Sequence, residues 1–331
     1  MQKDKFSTLN KLVGNTPLIK ITYEYNKHVK DAYFKLEWYN LTGSIKDRMA
    51  LYILKKAYQQ NKLKKGQTIV ESTSGNTGIS FSAMGKFLGN PVTILMPKSM
   101  SEERKQLISG YGATLKLVNN KKGFLHCLKL AKKIAKKQNA FLPLQFENKY
   151  NTQVHFLTTG QEIINQLKLN NKIPTALVAG VGTGGTLMGV AKRLKQANKN
   201  LKIFAVEPAS YPTIKLGKKV GTHLIQGISD DFVPPLLNKE CLTDIIDIHD
   251  KDAILMAQKL SKELGLGVGV SSGANFLASV IVNNKSNLEE IVVSVFSDDN
   301  KKYLSSSLNL NIKASSNYLN SKIKLLNYSI V

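Results

Sequence analysis

The stretch Asn40-Leu41-Thr42-Gly43-Ser44-Ile45-Lys46-Asp47-Arg48 places a lysine just inside what reads as the start of a helix. Turn-forming residues precede it, and Met49, Ile53, Leu54 and Ala57 follow at helical spacing. Ser44 is a candidate N-cap, which puts Lys46 in the first helical turn. A helix N-terminus carries partial positive charge, so an ammonium held there loses its proton more easily. An unprotonated amine can attack a carbonyl carbon. A solvated surface lysine is the commoner case for this residue type, so the rest of the chain must decide.

Three further loops bear on that decision. Residues 72–78, Ser72-Thr73-Ser74-Gly75-Asn76-Thr77-Gly78, gather hydroxyls and an amide around a glycine just before a helical pattern. Such a loop suits a carboxylate, although a plain capping loop has the same composition. Residues 180–186, Gly180-Val181-Gly182-Thr183-Gly184-Gly185-Thr186, lie between a buried-strand pattern and a helix. Their glycines let backbone amides close on a phosphate. The same residues fit a dinucleotide pattern, Gly180-x-Gly182-x-x-Gly185, with Glu207 ending the next strand where a ribose-binding acid is expected. A nicotinamide-dependent oxidoreductase is therefore a competing reading of the residues alone. Gly269-Val270-Ser271-Ser272-Gly273-Ala274 is a weaker signal of the same kind.

Other chemistries are disfavoured. His28, His126, His155, His223 and His249 show no metal-binding pairing, and no Gly-x-Ser-x-Gly elbow is present. Cys127 and Cys241 lie far apart without metal-ligand spacing, so no metal is expected and a reduced, cytoplasmic protein is the economical inference.

The elements that must position these loops follow from hydrophobic periodicity. Strand patterns at 32–38, 68–71, 92–96, 114–118, 176–179, 203–207, 243–248 and 291–296 alternate with helical patterns. The helical ones include 101–111, 123–137, 154–167, 186–196 and 273–282. That alternation predicts an α/β architecture with largely parallel twisted sheets, which place ligands at the carboxyl ends of their strands. Residues 1–20 read as a turn and an extended segment, and 308–331 as a tail of unknown role without clear period. With 331 residues and 42% hydrophobic content, the chain can bury a core of one or two domains. No apolar run is long enough to span a membrane, so no membrane partner is expected. The net charge of +24 raises the question of nucleic acid. The lysines are scattered, however, and aromatics are not interleaved with them as a stacking platform requires, so no nucleic-acid partner is expected either.

Taken together, several motifs carry a resemblance. Gly14-Asn15-Thr16-Pro17-Leu18, the Thr42-to-Arg48 stretch, residues 71–78, Glu102-Glu103-Arg104, Gln145-Phe146, residues 182–186, Glu207-Pro208, Gln226-Gly227-Ile228, Ser271-Ser272-Gly273-Ala274 and Tyr303-Leu304-Ser305 occur in order. The chain over about residues 8–307 resembles the cysteine synthase/cystathionine β-synthase family, fold-type-II pyridoxal-phosphate enzymes that are usually homodimers. So many motifs in register displace the dinucleotide reading.

The resemblance implies two α/β domains with the cofactor in the cleft between them. Residues 46–150 would form a smaller mobile domain, and 1–45 with 151–307 a larger one holding the phosphate. It implies Lys46 as the Schiff-base lysine, Asn76 at the cofactor's phenolic oxygen, and Gly182, Thr183, Gly184, Gly185 and Thr186 around the phosphate. Ser271, favoured over Ser272 by one position, would face the pyridine nitrogen and leave it unprotonated, which suits replacement at Cβ. Thr73, Ser74, Gly75, Thr77, Gln145 and Gly227 would hold the substrate. The implied reaction is β-replacement through an α-aminoacrylate, with O-acetylserine and sulfide giving cysteine as the leading form. The alternative uses cysteine as donor and releases hydrogen sulfide, with water or a second amino-acid thiol entering.

Two departures from the family pattern bear on that choice. Leu41 stands where proline is usual. In Gly227-Ile228-Ser229-Asp230-Asp231-Phe232 an acidic pair stands where cysteine synthases commonly have small uncharged residues. Cystathionine β-synthases resemble this chain in having an acidic residue at the position of Asp231, whereas Thr42-Gly43 resembles the cysteine synthase form. Asp231, ahead of Asp230, is the expected carboxylate acting on the incoming nucleophile.

Overall fold

The computed structural model describes residues 2–119, 123–285 and 290–331. Its strands form two sheets. The smaller is parallel, in the order β3 (Ile69–Ser72), β4 (Val92–Pro97), β5 (Thr114–Val118). The larger contains β1 (Leu18–Tyr25), β2 (His28–Leu36), β6 (Ala176–Gly180), β7 (Lys202–Pro208), β8 (Asp244–Ile248), β9 (Val292–Phe296) and β10 (Ile323–Ile330). Its order is β10-β1-β2-β9-β6-β7-β8. From β2 to β8 neighbouring strands run parallel, while β1 lies antiparallel between β2 and β10.

The inner parallel strands β4, β6 and β9 read as nearly continuous apolar runs because both of their faces are covered. In β6, Ala176 and Val178 join the core on one face, and Leu177 and Ala179 join the core on the other. A separate core surrounds the small sheet, where Ile69, Val92, Ile94 and Met96 meet α2 (Lys46–Gln59) and α3 (Asn76–Leu88). The small residues of α3 are a packing requirement. A Cβ on Gly85 would lie 2.4 Å from Val92, and one on Gly78 would lie 2.8 Å from Thr73.

Three segments differ from the sequence reading. The chain opens with a helix, α1 (Gln2–Leu12), whose Phe6 and Leu9 join the core of the small sheet. The helix expected over 154–167 is two, α6 (Lys149–Leu157) and α7 (Thr159–Lys168). They break at Thr158, which has φ −116° and ψ −76° and whose hydroxyl donates to the Val154 carbonyl at 2.8 Å. The tail supplies β10, which pairs along β1 from Ile19↔Ile330 to Tyr25↔Ile323.

The start of α2 is fixed from behind by buried charge. Arg48 donates through Nε and Nη2 to Glu37 at 2.6 and 2.8 Å, and through Nη1 and Nη2 to Glu162 at 2.7 and 2.8 Å. Lys35 pairs with the same Glu162 at 2.9 Å, and Thr16 donates to Glu37 at 2.7 Å. Asp47, in the first turn where a carboxylate suits the helix dipole, accepts from the Thr42 backbone and hydroxyl, both at 2.6 Å. Much of the Gly14–Leu18 and Asp47–Arg48 pattern is thus scaffold that aims the preceding loop.

Candidate active site

The carboxyl ends of β3, β6 and β9 converge on one cavity, lined among others by Lys46, Thr73, Asn76, Thr183, Asp230 and Ser271. Lys46 begins α2, and its backbone N–H donates to Ser44 Oγ at 3.3 Å. Burial holds the Lys46 ammonium below the usual lysine range and Arg104 adds to this, against the opposing pull of Asp298 and Asp230. This is the deprotonation tendency expected of it, with desolvation as the largest cause.

Opposite lies the cradle leading into α8 (Gly185–Ala197). Gly184 has φ +81°, which favours glycine, and a Cβ at Gly182 would lie 2.7 Å from the Gly227 carbonyl. Gly182, Thr183, Gly184 and Thr186 line the cavity. Gly185 does not: it packs on Asn151, whose Oδ1 would lie 2.2 Å from an added Cβ. Asn151 also donates to Thr183 Oγ1 at 2.9 Å. Behind Thr186, His155 is buried, with Nε2 3.3 Å from the threonine hydroxyl and Nδ1 2.9 Å from Thr159. Burial pulls its pKa down to about 3, so the ring is neutral. A helix N-terminus with close-packed glycines and hydroxyls is an anion site.

Asn76 Oδ1 is buried without a partner, while its Nδ2 donates to Asp298 at 2.7 Å. Ser271 lines the cavity, whereas Ser272 turns to the backbone and accepts from Ser297 N at 3.1 Å. The glycine cradle, the orphaned Asn76 oxygen and the depressed lysine fit a phosphorylated aldehyde held through Lys46.

Of the predicted substrate loop, Thr73, Ser74, Thr77 and Gln145 reach the cavity. Thr77 donates to Gln145 Oε1 at 2.7 Å, and Thr73 Oγ1 accepts from Gly75 N at 2.9 Å. Gly75 stands behind the loop against Arg104, which an added Cβ would meet at 2.4 Å. Gly227 lies where the cavity opens into a neighbouring one.

The acidic pair is placed the other way round from expectation. Asp230 lines the Lys46 cavity, and burial with the neighbouring Asp231 charge pushes its carboxyl up to about 7, against Lys46. Asp231 turns away. It accepts from Phe124 N at 2.8 Å, from the Tyr211 hydroxyl at 2.9 Å and from Lys219 at 2.8 Å. Those bonds outweigh its burial and hold its carboxyl below the usual range. A carboxylate so engaged is a poor proton acceptor, and it does not line the Lys46 cavity.

Sequence reasoning gave no role to Arg104, Asp298, Tyr303 and Gln226, which complete the wall. The buried Arg104 guanidinium lies 4.7 Å from the Tyr303 ring centroid, 4.0 Å from Asp298, and donates to Gln226. The Tyr303 hydroxyl donates to Asp298 at 2.7 Å. Two consecutive aspartates just after a buried parallel strand were the available signal for Asp298. Among the described residues, no group of three or more His, Cys, Asp or Glu gathers as a metal site, and no helix is long and apolar enough to cross a membrane.

Fold and site together define a fold-type-II architecture built to hold pyridoxal phosphate. The chain belongs to the family of pyridoxal-phosphate dependent enzymes, whose family model matches residues 9–298. It is 38% identical over 308 residues to the cysteine synthase of Staphylococcus aureus, covering 93% of this chain and 98% of that one. Its structure is similar to that of a hydrogen sulfide-producing enzyme from Fusobacterium nucleatum, with a TM-score of 0.95, 48% identity, and coverage of 99% of this chain and 100% of that chain. It is also similar to a cysteine synthase from Entamoeba histolytica, with a TM-score of 0.83, 34% identity, and coverage of 93% and 92%.

Proposed function

We propose that this enzyme carries out β-replacement on cysteine, releasing hydrogen sulfide and adding water at Cβ to give serine. β-Replacement in cysteine metabolism is the chemistry its relatives support. The observation that carries the finer reading is Asp230, a carboxyl near its midpoint at neutral pH in the cavity of Lys46. When bound, pyridoxal phosphate supplies the electron sink that stabilises negative charge at the substrate Cα. Lys46 would hold the cofactor's aldehyde carbon in the resting enzyme and, once the substrate amine has freed its own, would take the Cα proton and later return it. Gly182, Thr183, Gly184 and Thr186, with the N-terminus of α8, would hold the phosphate, while Asn76 would meet the phenolic oxygen and Ser271 the pyridine nitrogen. Thr73, Ser74, Thr77 and Gln145 orient the substrate carboxylate. Hydrosulfide leaves Cβ once the Cα proton is gone; Asp230 then takes a proton from water as the water oxygen bonds to Cβ, and that proton passes on to the departed hydrosulfide. The sum is cysteine plus water giving serine plus hydrogen sulfide, with no net oxidation.

A second reading, cysteine from O-acetylserine and sulfide, is favoured by Thr42-Gly43 and by the identity to cysteine synthases. Sulfide is largely ionised near neutral pH and needs no base, so Asp230 would be idle in it. Incubating the holoenzyme with cysteine alone, or with O-acetylserine plus sulfide, and identifying the amino-acid product tests both. Absence of serine and sulfide from cysteine would sink the first. The family resemblance further supports a cytoplasmic homodimer with a smaller mobile domain, 46–150, closing on a larger one, 1–45 with 151–307. Sedimentation and substrate-dependent scattering test these features.

A further inference from the structure

Residues 226–232 touch both sheet units. On the side of the large sheet, Ser229 N donates to the Val181 carbonyl at 2.8 Å, and the Ser229 carbonyl accepts from His223 Nε2 at 3.0 Å. On the side of the small sheet, Phe232 packs edge-on against Phe146 with ring centroids 5.1 Å apart, and Phe146 meets Phe124 at 5.7 Å. Asp231 makes the polar counterpart of that contact. Helix α5 (Gly123–Gln138) has the orphan N–H groups of any helix start, and one of them, Phe124 N, is satisfied by a carboxylate 107 residues away in sequence. The other carboxylate oxygen is held by Tyr211 and Lys219. Gly123 leaves room for this: its φ is +69°, and a Cβ there would lie 2.7 Å from Asp231 Oδ2.

We propose that Asp231 is a positioning residue whose carboxylate latches residues 226–232 to the first turn of α5, and so holds Asp230 beside the substrate Cβ. The proposal rests on the role given to Asp230 above. The chain turns at Ser229 (φ +55°), and pinning Asp231 and Phe232 onto α5 and Phe146 just after that turn leaves Asp230 facing Lys46. The latch also acts through charge. Asp231 is an anion beside Asp230 and keeps its proton affinity high. The groups facing the pair are Lys46 in the cavity, Lys219 and Tyr211 on the large-sheet side with His223 packed at a tilt against Tyr211, and the Cys127 thiol on α5. Lys219 is the cation that offsets Asp231.

The test uses the holoenzyme with cysteine as sole substrate. Three quantities are read: sulfide released in the first turnover, steady-state turnover, and the midpoint of the acid limb of turnover. Asp231→Ala is expected to leave the first-turnover sulfide within about twofold and to cut steady-state turnover at least about tenfold. Its acid-limb midpoint should fall, because a neighbouring anion is gone. Lys219→Met, which keeps the latch to α5 but removes the offsetting cation, should move the midpoint the other way. Hydrogen exchange at residues 123–126 should quicken in Asp231→Ala and stay near wild type in Lys219→Met. If both phases and cofactor content fall together with an unmoved midpoint, Asp231 merely supports the fold and the proposal is overturned. Unchanged turnover and unchanged exchange overturn it as well. Asp230→Asn is run alongside. Full turnover there defeats the reading of Asp230 and the latch with it, whereas slow Asp230→Asn with normal Asp231→Ala defeats the latch alone.

Discussion

Replacing Asp230 by asparagine removes the proton acceptor from the cavity while keeping its size. With a carboxyl at about 7, roughly half of it is ionised at pH 7 and about a tenth at pH 6. Wild-type turnover with cysteine should then fall about tenfold per pH unit below neutrality, whereas an aspartate of ordinary pKa, about 3.9, would stay ionised to about pH 5. A positioned base contributes roughly 10²–10⁴ in rate, so Asp230→Asn should be slower by that factor and nearly flat over pH 6 to 8. Its first-turnover sulfide should persist, because Lys46 performs that half. The linked effect on stability has a definite sign. Between the unfolded value, about 3.9, and the folded one, the folded chain keeps a proton the unfolded chain has released. Wild-type stability is therefore lost as pH rises through that window, and Asp230→Asn should melt higher than wild type at pH 8, with the gap closing towards pH 4. The assays are trapped sulfide and serine formation from about pH 5.5 to 8.5, with melting in parallel. A loss below about threefold, or a wild-type profile without an acid limb near neutrality, would remove Asp230 from the reaction.

Lys46→Ala should lose the visible absorbance of the bound cofactor and essentially all turnover while the circular dichroism of the fold persists. Retained turnover would refute the role of Lys46. Thr73→Ala should raise the KM for cysteine and leave the cofactor absorbance unchanged; loss of cofactor would instead place this loop at the phosphate. Arg48→Met leaves Glu37 buried without its main cation, so unfolding in urea should show a loss of about 3–5 kcal/mol. A loss under about 1 kcal/mol, the range of an exposed pair, would show the network to be effectively solvated.

The features legible in sequence were those whose cause is local. A strand, a glycine-rich turn and a helix start are written in consecutive residues, so the 180–186 cradle and the Lys46 turn could be placed before any contact was known. Asp230 and Asp231 show the limit. Two identical neighbours differ in placement because Ser229, at φ +55°, turns the chain and because Tyr211, Lys219 and Phe124 engage one of them. None of those partners is close in sequence. The break at Thr158 was hidden for a similar reason, since the apolar pattern of α6 and α7 runs on through it. β10 escaped notice because only Ile323 and Leu325 on it are buried, and its register shifts opposite Thr22/Tyr23.

That last strand bears on biosynthesis. β1 and β2 leave the ribosome about 300 residues before the strand that covers the open edge of β1. During that interval Ile19, Ile21 and Tyr23 belong to a strand with a row of unsatisfied amides and carbonyls, the kind of template that recruits other chains. A nascent chain stalled before residue 323 would carry this edge unguarded. Yield in the cell should then depend on how quickly residues 323–330 follow, and on whether a chaperone shields the β1–β2 hairpin until they arrive.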